Sequence, residues 1–164
     1  NMPGGEIFTS LHPGVIDAAE WVGPYNDLAF GLHNVAKYYY YPGWQEPGPT
    51  IEFIVNKSSL ESLPDDLLAI VETAARAINQ DMLDEYTARN NAALRELVET
   101  HGVEIKPLPK KVLDELAVIA DQVLQENADS DALFRRVYES FKAYREGVVD
   151  YHNISERAYY EARE

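Results

Sequence analysis

Between Ser62 and Gly102 apolar residues recur every three or four positions, over a stretch longer than a small domain is wide. Leu67, Val71, Ala74, Ile78 and Met82 are followed at helical spacing by Tyr86, Ala93, Leu94 and Leu97, which predicts one helix of about 35 residues and about 50 Å at 1.5 Å per residue. Ser62 is the expected N-cap. Pro64 and Asp65 suit the first turn, where helix-terminal N–H groups lack partners. His101 and Gly102 supply a last-turn base and a C-cap glycine. A helix of this length either spans two lobes or pairs with another chain.

Composition narrows the partners. The 164 residues carry 14 Lys plus Arg against 28 Asp plus Glu, a net charge of −14. Nucleic acid is therefore an improbable partner, because no basic surface is available to displace counterions from phosphate. Anionic lipid is disfavoured for the same reason, and no run of 18 apolar residues exists to span a bilayer. The absence of cysteine removes disulfides, thiolate metal sites and cysteine nucleophiles together. Asn1 to Ile7 has neither a basic region nor an apolar one, so no targeting segment is visible there.

Around the long helix the pattern is mixed. Glu6 to Leu11 reads as a short helix closed at Pro13-Gly14, and Val15-Ile16 as a brief strand running into a loop at Gly23-Pro24. Asn26 to Lys37 is a poorly patterned helix. Tyr38 to Tyr41 favours strand, and Thr50 to Asn56 alternates like a half-buried strand beyond a Pro/Gly-rich loop. These two strands are either hairpin partners or joined by a crossing between layers. Val103 to Lys106 is a further short strand. Val112, Leu116, Ile119 and Val123 then form one helical stripe. Phe134, Val137, Phe141, Tyr144 and Val148 form another after a cap at Asp129-Ser130, and a last helical segment carries Ile154, Ala158 and Tyr159.

Chemistry concentrates at two places. Glu20-Trp21 follows the Val15-Ile16 run, and Gln45-Glu46 lies in the Pro/Gly-rich loop roughly 25 residues later. Carboxylate and amide oxygens are hard ligands for Na⁺, Ca²⁺ or Mg²⁺, while an indole adds an apolar wall and one N–H donor. The structural alternative places Trp21 in a core, Trp44 as a loop anchor and both glutamates in solvent. Glu20 and Glu46 also suit a carboxylate-based hydrolase, provided they stand roughly 5 to 10 Å apart. The histidines at 12, 33, 101 and 152 are isolated, and neither a serine-nucleophile elbow nor a phosphate-binding glycine loop occurs. The tyrosine run is read mainly as core-filling strand, with a ligand-stacking wall as its functional alternative.

Gly14-Val15-Ile16-Asp17-Ala18-Ala19-Glu20-Trp21-Val22-Gly23-Pro24-Tyr25-Asn26-Asp27, followed by Tyr38-Tyr39-Tyr40-Tyr41-Pro42-Gly43-Trp44 and Glu46-Pro47-Gly48-Pro49-Thr50, resembles the solute-binding proteins of tripartite ATP-independent periplasmic (TRAP) transporters, in the branch that takes 2-oxo and 2-hydroxy monocarboxylates. The resemblance covers essentially the whole chain. It implies an α/β fold, helix-rich with few strands and one long lobe-spanning helix, forming the C-terminal half of a two-lobed periplasmic binding protein. Residues 1–22 would then end one lobe and cross between lobes, 23–62 carry strands and a ligand-side loop, 63–102 form the spanning helix, and 103–164 hold a short strand and the terminal helices.

The same resemblance implies a binding protein and not an enzyme, one that passes a small organic acid such as pyruvate or lactate to TRAP permease subunits in the membrane. Glu20 would give a carboxylate oxygen and Trp21 a backbone carbonyl to a bound Na⁺ or Ca²⁺. Gln45, where many relatives carry His, would touch cation or substrate, with Glu46 beside it. The family's carboxylate-clamping arginine lies upstream of the matching residues. Some members dimerise by exchanging a terminal helix, which the Phe134–Val148 stripe would serve here; packing within one chain fits that stripe as well. A hydrolase using Glu20 and Glu46, or a helical interaction module, are the alternatives.

Overall fold

A computed structural model describes residues 1–45, 48 and 51–163. They fall into two compact units, Asn1–Leu108 and Pro109–Glu164. The expected helix-rich α/β chain with few strands and one long helix is observed.

In the first unit, helix α1 (Gly4–Leu11) buries Ile7. The strand expected at Val15-Ile16 does not form, because both amide N–H groups donate to the Ser10 carbonyl, at 2.9 and 3.3 Å, in the turn that closes α1. They are thereby spent on a local turn and leave nothing for a ladder. Helix α2 (Pro24–Ala29) begins with proline at its first position. The helix expected from Asn26 to Lys37 is broken after Phe30 by Gly31, whose φ of 77° is left-handed, and resumes only as a 3₁₀ turn at Leu32–Asn34.

Strand β1 (Tyr38–Tyr41) pairs in parallel with β2 (Glu104–Pro107), with Tyr39 opposite Ile105. Glu104 N–H donates to the Lys37 carbonyl at 3.0 Å and Leu108 N–H to the Tyr41 carbonyl at 2.7 Å, extending the ladder at both ends. A parallel pair requires a long crossover, and here it contains the long helix. The Thr50–Asn56 strand is a second correction. Residues 51–56 have no ladder partner among the described residues, and Asn56 instead caps helix α3 (Lys57–Glu61) by accepting the Ser59 N–H at 3.1 Å.

Helix α4 (Asp65–Glu99) has the expected 35 residues, but Ser62 is not its cap. Ser62 closes α3, its hydroxyl donating to the Ser59 carbonyl at 2.8 Å, and Pro64 stands at the α4 N-terminus without a side-chain hydrogen bond. Gly102, at φ 67°, ends the turn beyond α4 as expected. Burial on α4 is confined to its C-terminal part, at Ala93 and Leu97, where the helix meets α2.

In the second unit, α5 (Lys110–Ser130) and α6 (Ala132–Ile154) are joined by Asp131 alone. Asp131, rather than Asp129-Ser130, is the cap, accepting the Phe134 N–H at 2.8 Å. Arg135 Nε donates to the Ala128 carbonyl at 2.9 Å across this turn, and Ala128 is buried. The less exposed row of α5 is Leu113, Leu116, Ala120, Leu124 and Ala128, so Val112, Ile119 and Val123 of the expected stripe face outward. A short α7 (Glu156–Glu161) follows.

Candidate functional site

Helix α2 is held from two sides. Tyr25 N–H donates to Asn90 Oδ1 on α4 at 2.9 Å, the Tyr25 ring meets Tyr86 edge-on at 5.9 Å, and the Arg89 guanidinium lies 5.3 Å from the Tyr25 ring centre. A Cβ added at Gly23 would stand 3.4 Å from Asn90 Oδ1, so the chain passes close against α4 at this point. Asp27 faces the other way. One of its carboxylate oxygens accepts the Gly23 and Val22 N–H groups at 3.3 and 3.4 Å, and the other accepts the Tyr39 hydroxyl of β1 at 2.6 Å.

Asp27 is 7% exposed, and no cation pairs with it among the described residues. Neutral donors alone compensate its burial, an arrangement tolerable only when its lone pairs are well occupied. Burial, reinforced by the neighbouring Asp27 carboxylate, pushes the Tyr39 phenol far above its ordinary pKa, so it remains a donor.

Glu20 and Trp21 immediately precede this anchored stretch. The Trp21 indole stacks on Phe30 with ring centres 5.3 Å apart, and its far edge lies over Gly4, where an added Cβ would fall 2.5 Å from the ring. The side chain is thus committed to packing. The Trp21 carbonyl accepts no hydrogen bond among the described residues, and the Glu20 carboxylate is exposed without a hydrogen-bond or ion-pair partner among them. Gln45 is exposed in the loop after β1 and Trp44 is half exposed. No hydrogen bond joins Gln45 to Glu20 among the described residues, and Glu46 lies outside them. The donors that are described are oxygens of the hard type that Na⁺ and Ca²⁺ take, with ligand places left unused by the protein. Among the described residues no group of three or more His, Asp or Glu side chains is placed to hold a metal ion.

Asp27 went unassigned in the sequence reading. The signal available was an acidic residue in the first turn of α2, where helix-terminal N–H groups favour negative charge. Its link to Tyr39 depends on tertiary packing. Of the tyrosine run, only Tyr39 turns inward, whereas Tyr38, Tyr40 and Tyr41 are about half exposed. The Lys106 ammonium lies 4.1 Å from the Tyr38 ring centre. His33 and His101, isolated in sequence, pack against each other with ring centres 3.9 Å apart and planes tilted by 34°. Burial and the facing His101 lower the His33 pKa against a raising influence from Glu96.

Residues 1–131 match the DctP family, described as bacterial extracellular solute-binding protein, family 7. The chain is 41% identical over 158 residues to the monocarboxylate 2-oxoacid-binding periplasmic protein of Nostoc sp. strain PCC 7120, across 96% of this chain and 43% of that protein. It superposes with a TM-score of 0.93 and 35% identity on the crystal structure of a TRAP transporter solute binding protein from Bordetella bronchiseptica RB50, over 99% of this chain and 48% of that one. That structure is described as a mixed occupancy dimer, with copurified calcium and picolinate in a bound active site set against an apo site. The chain spans somewhat less than half the length of each of these relatives.

Proposed function

Because the chain belongs to the family 7 bacterial extracellular solute-binding proteins, as a TRAP solute-binding chain, we propose that it takes part in capturing a small 2-oxo or 2-hydroxy monocarboxylate, such as pyruvate or lactate, in the periplasm for delivery to TRAP permease subunits. The observation that carries the reading is the pairing of a Glu20 carboxylate and a Trp21 carbonyl, both without a hydrogen-bond partner among the described residues, on a segment fixed in place just downstream. The naming of the Nostoc relative for 2-oxoacids and the calcium and picolinate of the Bordetella structure support the same chemistry.

Glu20 and the Trp21 carbonyl would hold the cation, Ca²⁺ before Na⁺, with Gln45 and Glu46 on the ligand side. A cation of this kind offsets the charge of an organic carboxylate that leaves water, which costs several kcal/mol when unpaired. Trp21 bounds the ligand side with its backbone while its indole secures the segment to α1 and Phe30. This is capture without bond change, so hydrolysis by Glu20 and Glu46 takes second place. The exposed α6 row Phe134, Val137, Phe141 and Tyr144 is the face through which a homodimer would form; light scattering is the check, with a dimer mass expected and a monomer mass contradicting it.

Calorimetric titration of pyruvate and lactate into the natural full-length protein tests the function. Binding in the presence of Ca²⁺ that vanishes on chelation is expected. Binding that ignores the chelator contradicts the cation, and the absence of binding to any small 2-oxo or 2-hydroxy acid contradicts the receptor reading.

A further inference from the structure

From the geometry around Asp27 we infer that this residue is a positioning residue for the ligand side, tying the Glu20-Trp21 segment to the strand that leads to Gln45. The inference rests on the receptor reading above. The two donor segments are roughly 25 residues apart in sequence, and no hydrogen bond among the described residues joins their side chains directly. Both are attached to one carboxylate. Val22 and Gly23, the residues after Trp21, donate to Oδ1 at 3.4 and 3.3 Å, and Tyr39, six residues before Gln45, donates to Oδ2 at 2.6 Å.

The two halves of this tie differ in strength. The Tyr39 contact is short, as expected for a hydroxyl donating to a charged acceptor, while the two backbone contacts are long and share one oxygen. Asp27 N–H donates in return to the Gly23 carbonyl at 2.8 Å, so the same residue grips Gly23 through backbone and side chain. On the opposite side Asn90 holds Tyr25 to α4. The Glu20-Trp21 segment is therefore held to α4 through α2, and β1, which is laddered to β2, is tied to α2 through Asp27.

A helix cap alone would need only the backbone contacts. A buried carboxylate without a cation is an expensive cap when serine, threonine or asparagine would serve. What the carboxylate adds is a second, separate oxygen for Tyr39, and with it a fixed separation between two segments that must present oxygen donors to one ion.

The test uses the natural full-length protein with Ca²⁺ and pyruvate as probes, at a temperature where circular dichroism shows each variant folded. Asp27→Ala is expected to weaken Ca²⁺-dependent pyruvate binding by at least about tenfold. Asp27→Asn, which keeps one acceptor for the backbone but gives up the second oxygen that Tyr39 uses, is expected to weaken binding to the same degree as Tyr39→Phe. Tyr39→Phe cuts only the tie to β1 and should weaken binding while leaving amide exchange at Val22 and Gly23 unchanged. A folded Asp27→Ala protein of wild-type affinity overturns the inference, as does wild-type affinity in Asp27→Asn. If Asp27→Ala does not fold, wild-type affinity in Tyr39→Phe overturns it alone. Absence of Ca²⁺-dependent binding in the wild type instead defeats the receptor reading and this inference with it, while faster exchange at Val22 and Gly23 in Asp27→Ala still reports the tie itself.

Discussion

Tyr38–Tyr41 and Ile51–Val55 are both built from residues that favour extended chain, yet they differ in outcome. The tyrosines form a strand, with Ile105 and Lys106 beside them and Tyr39 turned onto Asp27. Residues 51–55 have no ladder among the described residues, and Phe53 and Ile54 are 72% and 84% exposed. β-propensity measures how well a side chain suits a pleated, half-buried surface, so without a neighbouring strand it produces no ladder. The tyrosine segment has its partner, although that partner lies about 60 residues away and is brought near only because α4 returns the chain. Order in the first unit thus follows from what α4 and α2 gather around Asp27, Asn90 and Leu97.

The largest way to break this comparison is at the gathering point. Leu97 is 2% exposed, and Leu97→Ala is expected to cost about 3 kcal/mol from lost transfer free energy plus the cavity left behind. Ile54→Ala, by contrast, should change stability by less than about 0.5 kcal/mol. Urea unfolding followed by tryptophan fluorescence measures both, because Trp21 and Trp44 both lie in the first unit. Equal effects of the two substitutions would erase the distinction drawn here.

A smaller change sharpens it. Asn90→Ala leaves the Tyr25 N–H without its acceptor, for an expected loss of about 1 kcal/mol. The accompanying signature is faster amide exchange at Tyr25, with exchange in α6 unaltered.

Acidification tests the contact between the 3₁₀ turn and the end of α4. Since the His33 pKa is lowered in the folded protein, the unfolded chain binds more protons as the pH falls below the ordinary value of about 6.5. Stability is therefore expected to decline from that pH downward, with a slope of at most about 1.4 kcal/mol per pH unit from this group. His33→Gln should flatten the decline, and an unaltered pH profile would show that the His33–His101 pair does not contribute it. The smallest effect belongs to the surface. The ammonium groups of Lys37 and Lys106 lie 2.7 and 3.2 Å from Glu104 and hold its carboxyl below the usual range. All three side chains are well exposed, and Glu104→Gln should leave the urea midpoint unchanged within error.

Periodicity made the long elements legible. The 35-residue helix and the two helices of the second unit follow from spacing that depends on nearby residues, and the strand at Tyr38–Tyr41 from the β-preference of tyrosine once β2 is beside it. What escaped depended on competition or on distant neighbours. Val15 and Ile16 look like strand, but the Ser10 carbonyl claims their N–H groups. Ser62 has the chemistry of an N-cap, but a five-residue helix capped by Asn56 uses it first. The inward row of α5 is displaced because alanines at 120 and 128 lie inward where larger apolar residues were expected to. In the candidate site, Glu20, Trp21 and Gln45 are proposed as oxygen donors on family likeness. The residue that ties their segments together was not legible, because Asp27 acquires its role from a tyrosine twelve residues later.

Removal of the Glu20 carboxylate tests the central claim most directly. In the natural full-length protein, calorimetry with saturating Ca²⁺ should find pyruvate bound at least about tenfold more weakly by Glu20→Ala than by wild type, a loss of about 1.4 kcal/mol. Wild-type affinity in that variant would contradict a cation held by the oxygens of this segment.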